Sequence, residues 1–166
     1  EIKTVEDING LKIRTLPNQV HIDLWKTLGS VPTPMDFSEL FTALEQNVVD
    51  GQENPAGLVK TAKFYEVQKY LTTTGHVYSP NLFLVSKKFW DSMSDQEREI
   101  IMKAVEEGKV EQRKENQQEV NEALEYLSSQ GMTITDLPPE EKQKLMDIAR
   151  SLYPNYKSII GEELLN

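Results

Sequence analysis

The chain has 166 residues, enough to bury an apolar core as one domain, and 38% hydrophobic with 27% charged residues is ordinary globular composition. No apolar run approaches the length of a bilayer span, which excludes a transmembrane helix, and the absence of cysteine excludes disulfides and thiolate metal sites. A net charge of -9 argues against nucleic acid, whose phosphates demand clustered Lys and Arg.

Thr4 to Asp7 reads as a short capped turn. Gly10 releases it into Leu11 to Leu16, whose alternation predicts a strand with Arg14 opposite the apolar face. Val20, Leu24, Trp25 and Leu28 form one helical stripe that Gly29 ends, and Val31 to Met35 makes a short extended return. Asp36 and Glu39 resemble a capping box for a helix that buries Phe37, Leu40, Phe41 and Leu44. Asn47 is a left-handed stop before a Val48-Val49 strand. Strand, helix, strand, helix, strand at these spacings predicts an α/β fold with right-handed parallel crossovers and three strand ends along one sheet edge. Open α/β sheets bind ligands at that edge, which here carries Arg14, Asp36 with Phe37, and Asn54.

After Pro55 an amphipathic helix or helix pair bears Leu58, Val59, Ala62, Phe64, Tyr65 and Val67. Tyr70 to Tyr78 reads as extended, interrupted by Gly75, and Asn81 to Val85 continues it past Ser79-Pro80, which suits a strand crossing between two lobes. Ser86 caps a short turn with Phe89 and Trp90, and Ser94 with Glu97 forms a capping box. From Asp95 to Gln130 only Gly108 interrupts the helical pattern, giving a rod on the order of 50 Å long. Its polar middle, Glu106 to Glu119, separates Ile100, Ile101, Ala104 and Val105 from Val120, Ala123, Leu124 and Leu127. That pattern fits a helix docked on two bodies better than a coiled-coil arm, because apolar heptads are not sustained. Gly131 ends the rod and Met132 to Thr135 is a short strand. Leu145, Ile148, Ala149 and Leu152 stripe a further helix, and Pro154 precedes a last segment with Ile159, Ile160, Leu164 and Leu165.

Arg14 is the cation of this edge: its planar, permanently charged fork can hold a carboxylate by two parallel hydrogen bonds, while Asn54 can donate and accept beside it. The residues alone leave two plainer readings open, a solvated strand-end Arg14 and an N-cap Asn54 before a first-turn proline. Catalytic patterns are weak. His21 and His76 are far apart in sequence without a HExxH companion, so no metal site is expected and His21 reads as a solvated helix residue. Asp50 and Glu53 are acidic residues near a strand end, a commonplace arrangement. Ser79 has no nucleophile elbow, and no Gly-rich loop ends in Gly-Lys-Ser/Thr.

Gly10 to Arg14, Pro32-Thr-Pro-Met-Asp-Phe-Ser-Glu39, Val49-Asp-Gly-Gln-Glu-Asn-Pro55, Lys63-Phe-Tyr-Glu-Val-Gln-Lys69 and His76-Val-Tyr-Ser-Pro80 resemble, in order, segments of the dicarboxylate-binding type of solute-binding protein of TRAP (tripartite ATP-independent periplasmic) transporters. The resemblance covers nearly the whole chain but only the C-terminal half of the family pattern. It implies a periplasmic-binding-protein-like α/β fold, one lobe plus part of a second, with a long helix bridging both. Residues 1–79 would lie mainly in the second lobe, 80–119 would contribute a crossing strand and the long helix to a largely missing first lobe, and 120–166 would return to the second.

The implied function is capture of an organic acid, a C4-dicarboxylate or sugar acid, without catalysis, metal or cofactor, and its delivery to TRAP membrane permease subunits powered by an ion gradient. Arg14 matches the family's carboxylate-clamping arginine and Asn54 its ligand-contacting asparagine. Phe37 corresponds to a pocket-wall aromatic, though it equally suits the first core position of its helix. Some relatives carry an asparagine three residues beyond the arginine, where Pro17 stands here, so the following Asn18 is a further candidate. Tyr78, near the crossover, is either a ligand contact or a hinge-packing residue. The implied location is the periplasm, with a signal segment upstream of Glu1. The alternative is a ligand-sensing or domain-exchanged interaction module of the same fold, in which the truncated chain self-associates to cover what the absent lobe would bury. The negative net charge opposes an anionic ligand only at long range: its field decays over about 8 Å at physiological salt, whereas a partly buried arginine is screened less.

Overall fold

The computed structural model describes residues 1–161 and Glu163; Leu164 and Leu165 of the expected last segment lie outside the described residues. A 3-10 turn, Val5–Ile8, leads into β1 (Lys12–Thr15), α1 (Gln19–Thr27), β2 (Val31–Pro34), α2 (Phe37–Glu45) and β3 (Gly51–Gln52). The three strands form one parallel sheet in the order β2-β1-β3, with Arg14 of the central strand in register with Thr33 and Gln52. The sequence pattern for this half therefore holds, with two local departures. The third strand is Gly51–Gln52 instead of Val48-Val49, because Asn47 turns left-handed (φ 56°) and Val49 is drawn into the core. Asp36 is the N-cap of α2 but its side chain makes no capping hydrogen bond, so the expected capping box is not formed.

Two apolar cores flank the elements, and β1 contributes to the first. Ile13 joins Leu24, Trp25 and Leu28 of α1 with Val5, Ile8, Leu137 and Leu145. The other core gathers Leu40, Ala43 and Leu44 of α2 with Val49, Val59, Phe64, Leu127 and Met132. Gly29 closes the turn after α1 at φ 89°, a left-handed conformation that favours glycine, and a Cβ there would also displace the Asn9 side chain, whose Oδ1 would stand 2.8 Å away.

The second core is completed by α3 (Ala56–Thr61), a 3-10 turn at Phe64–Glu66, and the C-terminal part of a 35-residue helix, α5 (Asp95–Ser129). A second parallel sheet pairs β4 (Tyr70–Thr73) with β5 (Thr133–Asp136). Between them lie α4 (Lys87–Ser92), capped by Ser86, and the start of α5, where Ser94 and Glu97 form the expected capping box. Helix α6 (Pro139–Ser151) is stapled to the N-terminus by Glu141, whose Oε2 accepts from Val5 N at 2.7 Å while Lys144 approaches its other oxygen. Helix α7 (Tyr153–Ile160) returns over α1, where the Tyr156 hydroxyl donates to Asp23 at 2.6 Å.

One expected element does not form. Asn81 to Val85 has no regular secondary structure, and among the described residues no strand pairs with it. Leu82, Phe83 and Leu84 are 77%, 69% and 81% exposed, and Ile100 in the first apolar patch of α5 is 67% exposed. A strand needs a neighbour to accept its backbone hydrogen bonds. The C-terminal patch of α5, by contrast, is docked: Ala123 and Leu127 are fully buried.

Candidate functional site

The carboxyl ends of β2, β1 and β3 converge on Arg14. Its side chain points away from Ile13 and is 0% exposed, so the strand-end cation is buried, not solvated. Nε and one terminal nitrogen, Nη2, donate to the Met35 carbonyl at 3.0 and 2.8 Å, just where the chain leaves β2. The guanidinium carbon stands 6.0 Å from the centre of the Phe37 ring, within cation–π range. Nη1 is buried and has no hydrogen-bond partner among the described residues. Arg14 makes no ion pair among the described residues. Burial lowers its pKa and the nearby charges of Glu53 and Asp36 oppose that fall; a guanidinium stays protonated at neutral pH regardless.

Phe37, at the start of α2, is 41% exposed and leans on Phe64 with ring centres 5.8 Å apart. It is therefore half wall and half core, with one face available beside Arg14. Asn54, half-buried two residues past β3, does not cap α3, whose N-cap is Pro55; its amide donates to Gln52 Oε1. Asn18 is engaged elsewhere: its side-chain oxygen accepts from Val20 N at 2.9 Å and caps α1. Tyr78 is 86% exposed and lines a cleft of about 280 Å³ with His21, His76, Leu24, Tyr153 and Tyr156.

The structure also assembles a cluster that the sequence reading dispersed. His21 is not a solvated helix residue: its Nδ1 lies 3.0 Å from Glu53 Oε1, 32 positions away, and His76 Nε2 approaches Glu53 Oε2 at 3.6 Å. His76 Nδ1 meets the Thr74 hydroxyl at 2.6 Å and the ring sits edge-on to Trp25. Burial works to raise the Glu53 pKa, but the two imidazoles outweigh it and the carboxyl sits below its ordinary value. Only the position of Glu53, immediately before Asn54, hinted at this in the sequence. No set of residues suited to a metal ion occurs among the described residues.

The fold is thus a parallel α/β sheet with one buried, incompletely satisfied guanidinium at its carboxyl edge, the edge at which open α/β sheets bind ligands. Residues 1–159 match the model of the DctP family, bacterial extracellular solute-binding protein family 7, and the chain belongs to this family of TRAP solute-binding proteins. It is similar to the sialic acid-binding periplasmic protein SiaP of Vibrio cholerae, 36% identical over 168 aligned positions that cover 99% of this chain and 50% of that protein. Among solved structures it is similar to a TRAP periplasmic solute-binding protein from Ochrobactrum anthropi, whose C-terminus is bound in its ligand-binding pocket (TM-score 0.93, 44% identity, 98% of this chain and 51% of that one). It is also similar to the sugar acid-binding protein DctPAm of Advenella mimigardefordensis in complex with galactonate (TM-score 0.83, 41% identity, 99% and 53%). The chain thus spans about half the length of these relatives.

Proposed function

We propose that this chain supplies the carboxylate-clamping half of an organic-acid receptor that serves a TRAP membrane permease. The observation that carries this reading is Arg14 Nη1, a buried cationic donor with no partner among the described residues. A buried charge left incompletely paired is costly, and a ligand carboxylate at Nη1 would relieve it. Sialic acid and galactonate, named for two of the similar proteins, each carry one carboxylate and several hydroxyls. A sugar acid or C4-dicarboxylate is the matching ligand class here. Phe37 would flank the carboxylate, Asn54 would orient a second polar group, and Tyr78 would close on the bound acid from the crossover. Asn18, already spent on capping α1, would contribute at most its free amide protons.

In this reading residues 1–79 and 120–166 form one lobe, while 80–119 reach into the other. The exposed Leu82-Phe83-Leu84 run and the exposed Ile100, Met102 and Val110 of α5 support that division, since both present apolar surface to solvent. Closure would follow because a ligand touches both lobes more fully when they are shut. The receptor would work in the periplasm, delivered by a signal segment upstream, and the ion gradient at the permease would drive uptake.

The test is calorimetric titration of the complete gene product with galactonate, sialic acid and a C4-dicarboxylate. Arg14→Ala should weaken binding of the recognised acid by well over tenfold, as losing one partner of a buried charged pair costs about 2–5 kcal/mol. An isotherm unchanged by the substitution would remove Arg14 from the site.

A further inference from the structure

We propose that His21 is a positioning residue that holds Glu53 away from Arg14 and so keeps the Nη1 corner open for a ligand carboxylate. The inference rests on Arg14 being the clamp. Glu53 directly follows Gln52, the β3 residue in register with Arg14, yet the two form no ion pair among the described residues, and the glutamate side chain is only 10% exposed. A carboxylate so buried requires donors. The one short hydrogen bond it receives among the described residues comes from His21 Nδ1 at 3.0 Å, while His76 Nε2 stands farther off at 3.6 Å.

The buried donors without partners among the described residues are Arg14 Nη1, Thr15 Oγ1, His76 Nε2 and Trp25 Nε1. Of these, the guanidinium is the permanent cation and the strongest attractor of a free carboxylate. Without His21, Glu53 would turn to Nη1, neutralise it and set a negative charge against any incoming acid. With His21 in place, the glutamate helps keep the buried cation stable without occupying its free corner. His21 thus acts from α1, an element that carries no ligand-contacting group in the present reading, and sets how much of the Arg14 charge a ligand meets.

Two measurements on the complete gene product test this. In the ligand-free crystal structure of His21→Ala, the Glu53 carboxylate should lie within hydrogen-bond distance of Arg14 Nη1; a carboxylate that stays in its original place with Nη1 free overturns the proposal. In galactonate titrations, His21→Ala should weaken binding about tenfold, whereas the same substitution made in a Glu53→Gln background should cost less than about threefold, because an uncharged amide does not compete for the cation. A purely structural His21 would cost the same in both backgrounds, and that outcome also overturns the proposal. His21→Asn, whose Nδ2 replaces the Nδ1 donor, should hold affinity within about threefold of the parent. If galactonate does not bind the parent protein at all, the sugar-acid reading is what fails, and the crystal structure alone decides the role of His21.

Discussion

Arg14 is charged, buried, and satisfied on one side only. Its bidentate grip on the Met35 carbonyl orients the fork but brings no neutralising charge, and the Phe37 ring supplies a weak attraction beyond it. Nη1 is thus left without a partner among the described residues, the feature on which the proposed carboxylate clamp rests. Glu53 is the compensating carboxylate, and its environment has a consequence for acid stability. Its folded pKa is below the ordinary 4.5, since the nearby imidazoles overcome the opposing effect of burial. The stability it contributes is present above that ordinary value and is lost as pH falls through the folded pKa. Urea unfolding between about pH 5 and pH 3 should therefore show the parent chain losing more stability than Glu53→Gln, with the gap between them narrowing toward the acid end. Equal pH slopes for the two proteins would contradict the placement of Glu53 beside His21 and His76.

Helix α5 shows what one element can do with two ends. Its N-terminus is capped by Ser94, its last turns bury Ala123 and Leu127 in the second core, and its middle is solvated. A helix of this length has intrahelical hydrogen bonds and propensity to sustain the solvated stretch, with its last turns docked in a core and its first turn touching α4 through Arg98 and Trp90. Gly108 lies in the stretch without contacts, and a Cβ added there meets nothing within 4 Å. Gly108→Ala in the chain 1–166 should accordingly raise stability by about 0.5–1 kcal/mol through helix propensity alone, read as an increase of about 2–3 °C in melting temperature. A decrease would mean that the glycine is required for a bend or a contact absent from this conformation.

At the scale of the whole molecule, two opposing terms govern how the chain behaves alone. The net charge of -9 keeps copies apart, while the run Leu82-Phe83-Leu84, with Phe89 and Ile100 nearby in sequence, leaves apolar side chains in water on a segment that pairs with no strand among the described residues. Such a segment is a template for pairing with another chain. Sedimentation velocity of the chain 1–166 should show concentration-dependent association that strengthens with salt, as charge repulsion is screened, and that is lost when Leu82, Phe83 and Leu84 are replaced by serine. A monomer at all concentrations would set aside the self-association reading.

The sequence by itself determined the local grammar of this protein: the Gly29 and Gly131 stops, the Ser94-Glu97 box, the 3.6-residue stripes of α1 and α6, and the parallel crossovers that bring Arg14 and Asn54 to one edge. The stops, box and stripes rest on interactions a few residues apart, and the crossovers follow from the alternation of strand and helix patterns, so periodicity and capping chemistry suffice to read them. The shared motifs that carried the family resemblance were likewise legible as linear segments. The tertiary structure alone decided three further matters. It buried Arg14 instead of solvating it, because the Met35 carbonyl, Phe37 and the second core close over the strand end. It committed Asn18 to a helix cap. It gathered His21, Glu53 and His76 from three separate elements, a juxtaposition set by how α1, β3 and the loop after β4 pack, and one that spacing along the chain does not encode.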